Sequence, residues 1–412
     1  MTRSDSEIDD HERTSAFRFE YEPPALRFGA DSVDGLEDEL ERRGFERAMI
    51  VCGSTVGGSP DVIDPVKSGL GSRLATVFDE TTPKKRLGTA FDGLERLHAE
   101  DVDVLISLGG GSSLDVAKVL STLAASGRSR SDIGAEFSDR GTITVPDEGL
   151  IPIVAIPTTL AGADLSQVAG VTASPESGLV DEEIGGGISG PELMPTAAFY
   201  DPSLVATTPE SILSRSVMNG FDKGVETVYA NNATPVTDAT ASRGIGLLAD
   251  GIRSYGRGDR GIGTFETLLE GTVLVQYGIS RPGETTLSVV HSFGHGLTRT
   301  YDVQQGAAHA IVVPHVLEFL FDDDAVDARV TTLAAGLGVD DAADPAKAVL
   351  ECVMDVRDAL GLPTRLRDVD GPARAEFPAV AKAILADSFM ANAPPGFDPD
   401  PEEIEGVLER AW

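Results

Sequence analysis

The sequence is poor in cysteine and contains no long hydrophobic run. Its two cysteines, Cys52 and Cys352, are too few for a disulfide framework, which favours an intracellular protein. No apolar run approaches the roughly 20 residues that a membrane-spanning helix needs. The start of the chain is polar and acidic, unlike a signal peptide. We therefore expect a cytoplasmic protein.

Positive charge is also scarce. The chain has 33 Lys and Arg against 67 Asp and Glu, which gives a net charge of −34. The acids are spread along the chain, so its surface repels nucleic acid and anionic membranes, and it repels itself unless salt screens the charges. We interpret this composition as adaptation to a salt-rich cytoplasm. The expected partner is a small-molecule substrate, not nucleic acid or a membrane.

Strand and helix patterns alternate in the first half of the chain, and helical patterns dominate the second. The length of 412 residues suits two domains. The alternation predicts an α/β domain with a doubly wound parallel sheet over residues 21–205. Residues 206–412 are predicted to form an all-helical domain that faces the first across the active-site cleft. Residues 1–20 are predicted to be a disordered acidic tail.

The expected elements follow from the apolar periodicity. The expected strands span residues 48–52, 75–78, 102–108, 152–156 and 197–200. The expected helices span residues 33–43, 62–73, 85–99, 114–125, 209–229, 237–255, 264–277, 285–298, 308–320 and 345–360. Two turn-rich stretches, 134–149 and 174–190, are predicted to be insertions.

A glycine-rich turn stands between a buried strand and a helix. Gly109, Gly110 and Gly111 follow the expected strand, and Ser112 and Ser113 are candidate helix caps. Without side chains, such a turn lets a diphosphate approach the backbone N–H groups and the positive end of the helix dipole. The spacing matches neither the G-x-G-x-x-G fingerprint nor a Walker A loop. Because similar glycine turns occur in proteins that bind no phosphate, the loop alone leaves both interpretations open.

Four segments occur in an order typical of one enzyme family. They are GGGSSLDVAK at 109–118, IPTTLAG at 156–162, YDPSL at 200–204 and VHSFGHG at 290–296. In this order they resemble the iron-containing (group III) alcohol dehydrogenases, relatives of glycerol dehydrogenase and dehydroquinate synthase. Residues 218–219 and 225–230 also resemble the maleylacetate reductases of this family. The resemblance implies a dehydroquinate-synthase-like fold, an oxidoreductase acting on CH–OH groups, and a homodimer or larger homo-oligomer.

The resemblance implies a nicotinamide cofactor whose diphosphate lies over residues 109–112. Thr158 and Thr159 would lie beside the cofactor, and the backbone of Gly53 and Ser54 beside the adenosine ribose. We expect Asp115 to accept N–H bonds within the loop, because a carboxylate facing the diphosphate would repel it. The alternatives are a plain strand end for the threonines and a solvated first-turn acid for Asp115.

The choice between NAD and NADP is weakly encoded near the predicted ribose site. In dinucleotide-binding folds, an acid beside the ribose binds the 2′-hydroxyl and excludes a 2′-phosphate. Residues 51–55 contain Ser54 and no acid. The expectation therefore leans to NADP, with NAD left open.

The family's metal-ligand positions lack metal ligands in this chain. The family uses an Asp, a His four residues later, and two further His fourteen residues apart; its Asp-Pro lies eighteen residues before the ligand Asp. Counting from Asp201-Pro202 places these positions at Asn219, Lys223, His291 and Gln305. Two amides, one ammonium and one imidazole do not hold Zn²⁺ or Fe²⁺ usefully. We therefore predict no metal site.

The same positions supply the candidate catalytic residues. Lys223 stands where an imidazole ligand is expected, and its ammonium would stabilise the developing alkoxide. His295, one turn after His291, is the candidate proton donor, while His291 orients the substrate or relays protons. Asn219 and Gln305 complete the predicted site. The alternatives are an exposed helical lysine for Lys223 and a satisfied core histidine for His295.

Three functions remain open from the sequence. The leading hypothesis is a metal-independent NAD(P)-dependent alcohol dehydrogenase that reduces a ketone or aldehyde. The second is a metal-dependent enzyme that uses Asp222, Glu226 and His291, a register that breaks the count from Asp-Pro. A further possible metal set is His291, His295, His309 and His315, but His309 and His315 fit a helix that runs away from the site. The third is a catalytically inactive homologue that binds nucleotide.

The acidic composition yields a testable prediction. We expect the protein to unfold when salt is removed and to refold in molar salt, because screening weakens the repulsion among its excess carboxylates. Circular dichroism during dialysis from high to low KCl measures this change. An ellipticity and a thermal transition that do not respond to salt would rule out the adaptation.

Overall fold

A computed structural model describes residues 16–412, and its first half is built on one parallel sheet. The strands are β1 Ala25–Phe28, β2 Ala48–Gly53, β3 Leu74–Thr81, β4 Val104–Gly109, β5 Ile153–Pro157, β6 Val168–Ala173, β7 Ile184–Ser189, β8 Ala197–Tyr200, β9 Ser280–Arg281 and β10 Glu284–Thr285. Six of them form a parallel sheet in the order β1-β8-β5-β4-β2-β3. The pairs β6–β7 and β9–β10 are small antiparallel ribbons. Most of the predicted tail, residues 1–20, lies outside the described residues.

Helices connect the strands of the sheet and build the second half. They are α1 Leu36–Arg43, α2 Ser54–Gly57, α3 Pro60–Leu70, α4 Leu87–Ala99, α5 Gly111–Ser126, α6 Arg130–Arg140, α7 Pro202–Val205, α8 Glu210–Tyr229, α9 Pro235–Gly256, α10 Ile262–Gln276, α11 Val289–Thr298, α12 Gln305–Phe321, α13 Val330–Leu337, α14 Pro345–Ala359, α15 Phe377–Leu385 and α16 Pro401–Arg410. None of the helices in residues 16–412 is both long and apolar enough to cross a membrane.

The sheet is buried on both faces. Along β2, Ile50 packs with α1 and α3 in one core, whereas Met49 and Val51 pack with α4 and α5 in the other. Alternate side chains of a strand point to opposite faces, so helices must cover both sides of a strand that is apolar throughout. These features confirm the predicted doubly wound α/β half and the predicted helical half.

Two stretches predicted as insertions contain regular structure. The prediction is wrong for the first part of 134–149, because α6 extends to Arg140 and buries Ile133 and Phe137. Within 174–190, the glycine-rich strand β7 pairs with β6. The edge strand β1 was not predicted either, since its side chains are mostly exposed. Short edge strands and glycine-rich strands lack the apolar alternation by which strands are recognised.

The carboxyl ends of β2, β4 and β5 meet at one edge of the sheet, where ligands bind in open α/β folds. Gly109 at the end of β4 pairs with Pro157 at the end of β5. Helix α8 packs on the loop after β5: the N–H of Leu160 donates to Ser216 Oγ at 3.1 Å. Gly220 leaves room for the carbonyl of Leu160 beside this helix. The cleft between the sheet edge and the helices therefore holds the candidate site.

Candidate active site

The glycine loop forms the N-terminal end of α5. Gly109 has φ +130°, a conformation that residues with side chains rarely adopt, and Gly110 is the N-cap residue. No side chain among the described residues caps this helix. The N–H of Ser113 donates to Gly110 O at 3.1 Å, so the N–H groups of Gly111 and Ser112 are the ones open to an anion. The prediction of Ser112 and Ser113 as caps is wrong, because the helix has already begun at the preceding residue. Ser113 Oγ instead lies 3.1 Å from Thr81 Oγ1.

The loop after β5 lies beside the glycine loop. The N–H of Thr158 donates to Gly109 O at 3.0 Å. Thr159 Cγ2 lies 3.3 Å from the point that a methyl group on Gly110 would occupy. Residues of both loops, together with Asp164, line a small cleft between them. The structure thus brings together the segments predicted to contact the diphosphate and the nicotinamide.

The predicted ribose site lies at the same edge of the sheet. Gly53 ends β2, which pairs with β4, and Ser54 begins α2. Asp79 on the next strand, β3, was missed by sequence reasoning. Its Oδ2 lies 3.0 Å from the point that a methyl group on Gly57 would occupy, so this carboxylate packs along α2. Only the strand order reveals an acid here, because Asp79 is distant from the motif in sequence.

Asp115 does not bind the loop as predicted. Its carboxylate is paired with Lys85 Nζ at 2.5 Å, because this face of α5 packs against the segment that leads into α4. One turn later, the buried Lys118 donates to Ser166 O at 2.6 Å and to Val168 O at 3.1 Å. Burial lowers the pKa of Lys118 to about 8. These two residues fix α5 to its neighbouring segments.

Three side chains suited to metal binding meet where α8, α11 and α12 pack together. Asp222, His291 and His309 are buried, and one donor atom from each lies within 4.8 Å of the others. Asp222 Oδ2 is 2.9 Å from His309 Nδ1 and 3.5 Å from His291 Nδ1. The two imidazole rings meet edge to face, with their centroids 4.5 Å apart.

Much of the hydrogen-bonding capacity of this cluster is unused. Both oxygens of Asp222, Nε2 of His291 and both ring nitrogens of His309 have no hydrogen-bond partner within residues 16–412. Burial raises the pKa of Asp222 well above its ordinary value, and it lowers the pKa of His309 to about 4 and that of His291 well below its ordinary value. Buried polar groups are almost always paired. Neutral imidazoles beside a carboxylate are a donor set that fits a divalent cation.

Glu226 supports the cluster through His291. Its Oε1 accepts the backbone N–H groups of Ser288 at 3.2 Å and of His291 at 2.9 Å, which satisfies the start of α11. Its Oε2 is hydrogen-bonded to His291 Nδ1. This bond fixes the ring and leaves Nε2 as the free nitrogen. Burial raises the pKa of Glu226 to about 7.

Lys223 connects α8 to the loop after β5. Its Nζ donates to Ala161 O at 2.8 Å and to Gln276 Oε1 at 3.4 Å. Burial lowers its pKa to about 8. Lys223 is therefore not an exposed helical lysine. Its hydrogen bonds go to the cofactor side of the cleft, whereas the adjacent Asp222 faces the histidines.

His295 has an acidic partner that no sequence motif marks. Its Nδ1 lies 2.9 Å from Asp387 Oδ2, and Arg299 contacts both groups. The ring of Phe389 is near both histidines, with its centroid 5.1 Å from that of His295 and 6.1 Å from that of His291. His295 is thus a hydrogen-bonded histidine at the partly exposed end of the site. Its role as proton donor stays a prediction.

The structure assembles a different donor set from the one predicted by counting from Asp201-Pro202. The counted positions are Asn219, Lys223, His291 and Gln305. Of these, only His291 belongs to the cluster. The prediction that His309 lies on a helix leading away from the site is wrong, because α12 packs against α8 and α11 and buries this residue between them. The prediction that the chain has no metal site rested on this count, so the count no longer supports it.

The other counted positions lie near the cluster without joining it. Asn219 precedes Asp222 by one turn of α8, and its Oδ1 is buried without a partner in the described part of the chain. Gln305 is the first residue of α12, one turn before His309. The alternative register through Asp222, Glu226 and His291 comes closer to the structure, with Glu226 as the support of a ligand.

Comparison with known families covers both halves of the chain. A family profile described as "Iron-containing alcohol dehydrogenase" matches residues 23–202. A second profile, "Fe-containing alcohol dehydrogenase family, C-terminal", matches residues 215–412. The first match ends and the second begins on either side of residues 203–214, near the point at which the sheet gives way to helices.

Individual relatives extend over nearly the whole chain. Lactaldehyde reductase of Escherichia coli (strain K12) is 28% identical over 401 residues, which cover 93% of this chain and 97% of the relative. Maleylacetate reductase of Pseudomonas aeruginosa is 28% identical over 392 residues, 94% of each chain. Among solved structures, sulfoacetaldehyde reductase of Bifidobacterium kashiwanohense in complex with NAD⁺ has a TM-score of 0.83 at 19% identity, covering 96% of this chain and 99% of that chain. The last likeness shows a shared fold.

Proposed function

We propose that this chain, which belongs to the iron-containing alcohol dehydrogenase family, transfers hydride between a nicotinamide cofactor and the carbonyl carbon of a ketone or aldehyde. It is an oxidoreductase that acts on CH–OH groups, and the reverse reaction oxidises the corresponding alcohol. One observation carries the proposal. The open glycine turn of α5 and the Thr158–Thr159 loop lie at the sheet edge that faces α8.

The first turn of α5 supports binding of the cofactor's diphosphate. Its free N–H groups and positive dipole end suit an anion, and Gly109 to Gly111 allow a close approach. When bound, the nicotinamide supplies or accepts the hydride. Thr158 and Thr159 would position it, with the adenosine toward Gly53 and Ser54. A solved structure of the same fold is in complex with NAD⁺, which supports a nicotinamide cofactor for this chain.

Lys223 supports the charge that develops on the substrate oxygen. Two hydrogen bonds fix its ammonium beside the cofactor loop, and a third N–H remains for a ligand. A fixed positive charge in a site that excludes water stabilises an alkoxide strongly. A divalent ion bound beside it would polarise the carbonyl as a Lewis acid. The same ammonium would bind the carboxylate of a substrate such as maleylacetate.

The pair His295–Asp387 supports proton transfer to the alkoxide. Asp387 fixes the imidazole through Nδ1, which leaves Nε2 to exchange a proton with substrate or water. The partial exposure of His295 provides a route to solvent. His291 is more buried than His295, and together with Asn219 it would shape the substrate pocket.

The position of Asp79 favours NAD as the cofactor. The local motif suggested NADP, since residues 51–55 contain no acid. Asp79 lies along α2 beside the predicted ribose site, and a carboxylate there repels a 2′-phosphate.

We also propose a cytoplasmic, salt-adapted homodimer or larger homo-oligomer, which size-exclusion chromatography in molar KCl would test.

The glycine loop yields the test of the proposed function. Replacement of Gly109 by Ala is expected to weaken NADH binding by roughly tenfold or more, because the side chain strains φ +130° and crowds the diphosphate site. Fluorescence titration with NADH measures the affinity. Gly29→Ala is the matched control, since Gly29 has φ +128° and open space around it. Equal affinities in both variants and the wild type would contradict the cofactor site.

Asp79 yields a prediction about cofactor choice. The wild type should bind NADH more tightly than NADPH, and Asp79→Asn should improve NADPH binding by roughly tenfold by removing a nearby negative charge. Glu80→Gln is the control, because neighbouring strand residues point to opposite faces. Tighter binding of NADPH by the wild type would restore the expectation from the local motif.

Lys223 yields a prediction about turnover. Lys223→Met should lower kcat/KM for carbonyl reduction by roughly 10²–10³-fold, the usual effect of removing a group that stabilises an oxyanion. Oxidation of NADH with lactaldehyde, maleylacetate and a wider carbonyl panel measures it, and the exposed Lys382→Met is the control. Full turnover in Lys223→Met would refute this role. A wild type that binds NADH but turns over no carbonyl would favour an inactive homologue.

A further inference from the structure

A buried donor cluster lies one helical turn from the positions at which the family resemblance placed the metal ligands. We infer that Asp222, His291 and His309 bind one divalent transition-metal ion, so that this chain has a displaced metal site. The inference rests on the proposed function only for the ion's part in catalysis. Binding of the ion is a separate property that is measurable without turnover.

The spacing of the donor atoms suits an ion. With metal–ligand bonds of about 2.0–2.2 Å, neighbouring ligands of a tetrahedral or octahedral ion lie about 2.8–3.6 Å apart. Asp222 Oδ2 lies 2.9 Å from His309 Nδ1. One donor atom each of Asp222, His291 and His309 lie within 4.8 Å of one another, and the nitrogen of His291 left for an ion is Nε2, because Glu226 binds Nδ1. The approach at 2.9 Å does not have hydrogen-bond geometry, since His309 Nδ1 and both Asp222 oxygens have no such partner in residues 16–412. The lone pairs are thus available to a shared ion.

The displacement follows helical periodicity. Asp222 stands three residues after Asn219 on α8, and His309 stands four residues after Gln305 on α12. Residues three or four apart lie on the same face of a helix. Donors at 222 and 309 are therefore directed at α11, as donors at 219 and 305 would be. His291 on α11 belongs to both the counted set and the buried cluster. A metal site can shift in this way without a change in fold.

Helix α11 makes room for the second imidazole. A methyl group on Gly294 would collide with the ring of His309, so only glycine lets this ring pack between α11 and α12. His309 is fully buried, and both of its nitrogens are unpaired among the described residues. An aliphatic side chain would fill this space without unpaired polar atoms. The presence of an imidazole here therefore points to a ligand.

The support of His291 matches that of a metal-bound histidine. Glu226 Oε2 is hydrogen-bonded to Nδ1, and its Oε1 accepts the N–H of His291, so ring and backbone are both fixed. Metal-ligating histidines usually donate their second nitrogen to such a carboxylate. The Nε2 atom of His291 is consequently free and buried.

The donor set indicates the class of ion. Two imidazoles and one carboxylate are ligands for Zn²⁺ and for Fe²⁺. Three protein ligands leave a coordination position open, which is typical of catalytic and not of structural sites. Lys223 does not compete for this position, because its Nζ is bonded to Ala161 O and Gln276 Oε1.

The first experiment uses the full chain without substrate. Metal analysis of the purified protein, and titration of the chelator-treated protein with Co²⁺, should give one tightly held ion per chain with visible ligand-field bands. Excess Mg²⁺ removes ions held only by the acidic surface. No Co²⁺ binding, or binding that Mg²⁺ abolishes, would overturn the inference.

The second experiment separates the displaced site from the family's positions. Replacing a residue that only supports a metal ligand usually lowers metal affinity by roughly 10–100-fold. His309→Gln and Asp222→Asn should each lower the affinity for Co²⁺ by more than this. Asn219→Ala, Gln305→Ala and the control His315→Gln should leave the affinity nearly unchanged. The opposite pattern, with binding lost in Asn219→Ala and Gln305→Ala and kept in His309→Gln, would overturn the inference. Near-ultraviolet circular dichroism checks that each variant is folded.

A spectroscopic variant distinguishes ligation from a structural role. His309→Cys should add a thiolate-to-cobalt charge-transfer band, because this band arises only when the sulfur binds the ion. If the folded variant binds Co²⁺ but shows no such band, residue 309 is not a ligand. Glu226→Gln should weaken Co²⁺ binding by roughly 10–100-fold as a change in a positioning residue. If Co²⁺ binding fails while NADH binding and carbonyl reduction persist, the metal site is refuted and the proposed dehydrogenase function stands.

Discussion

A carboxylate buried without hydrogen-bond donors is the constraint on which the helical half depends. Asp222 is fully buried on α8, and neither of its oxygens has a hydrogen-bond partner in the part of the chain that the structure describes. Such a group is tolerated only when a proton or a cation neutralises it. His291 and His309 approach it from α11 and α12, and Glu226 holds the first of them. The three helices therefore pack around a polar centre as well as around an apolar core.

The sheet edge supplies the complementary half of the site. The glycine turn of α5 presents the positive end of a helix dipole without a capping side chain, which suits a diphosphate. Two contacts from α8 hold the helical half against this edge: Ser216 binds Leu160, and Lys223 binds Ala161. Asp222 is adjacent to Lys223 on the same helix. The fixed position of α8 on the β5 loop thus sets the distance between the cofactor site and the buried cluster.

Counting from a family motif did not locate the buried cluster, for a physical reason. A count assumes that ligands keep their place in the sequence, whereas a helix presents the same face again after three or four residues. Asn219 and Asp222 therefore lie on the same face of α8, and Gln305 and His309 lie on the same face of α12. Packing decides which pair faces His291, and the count contains no information about packing.

The sequence by itself determined five of the six strands of the parallel sheet, most of the longer helices, the glycine turn and the family. These features depend on hydrophobic periodicity and on backbone freedom over a few neighbouring residues, such as the open conformation at Gly109. The tertiary structure alone decided which distant side chains meet. It placed Asp79 beside α2, Asp387 beside His295, and His309 against Asp222. Such encounters follow from strand order and helix packing, because burial brings together residues that are unrelated in sequence.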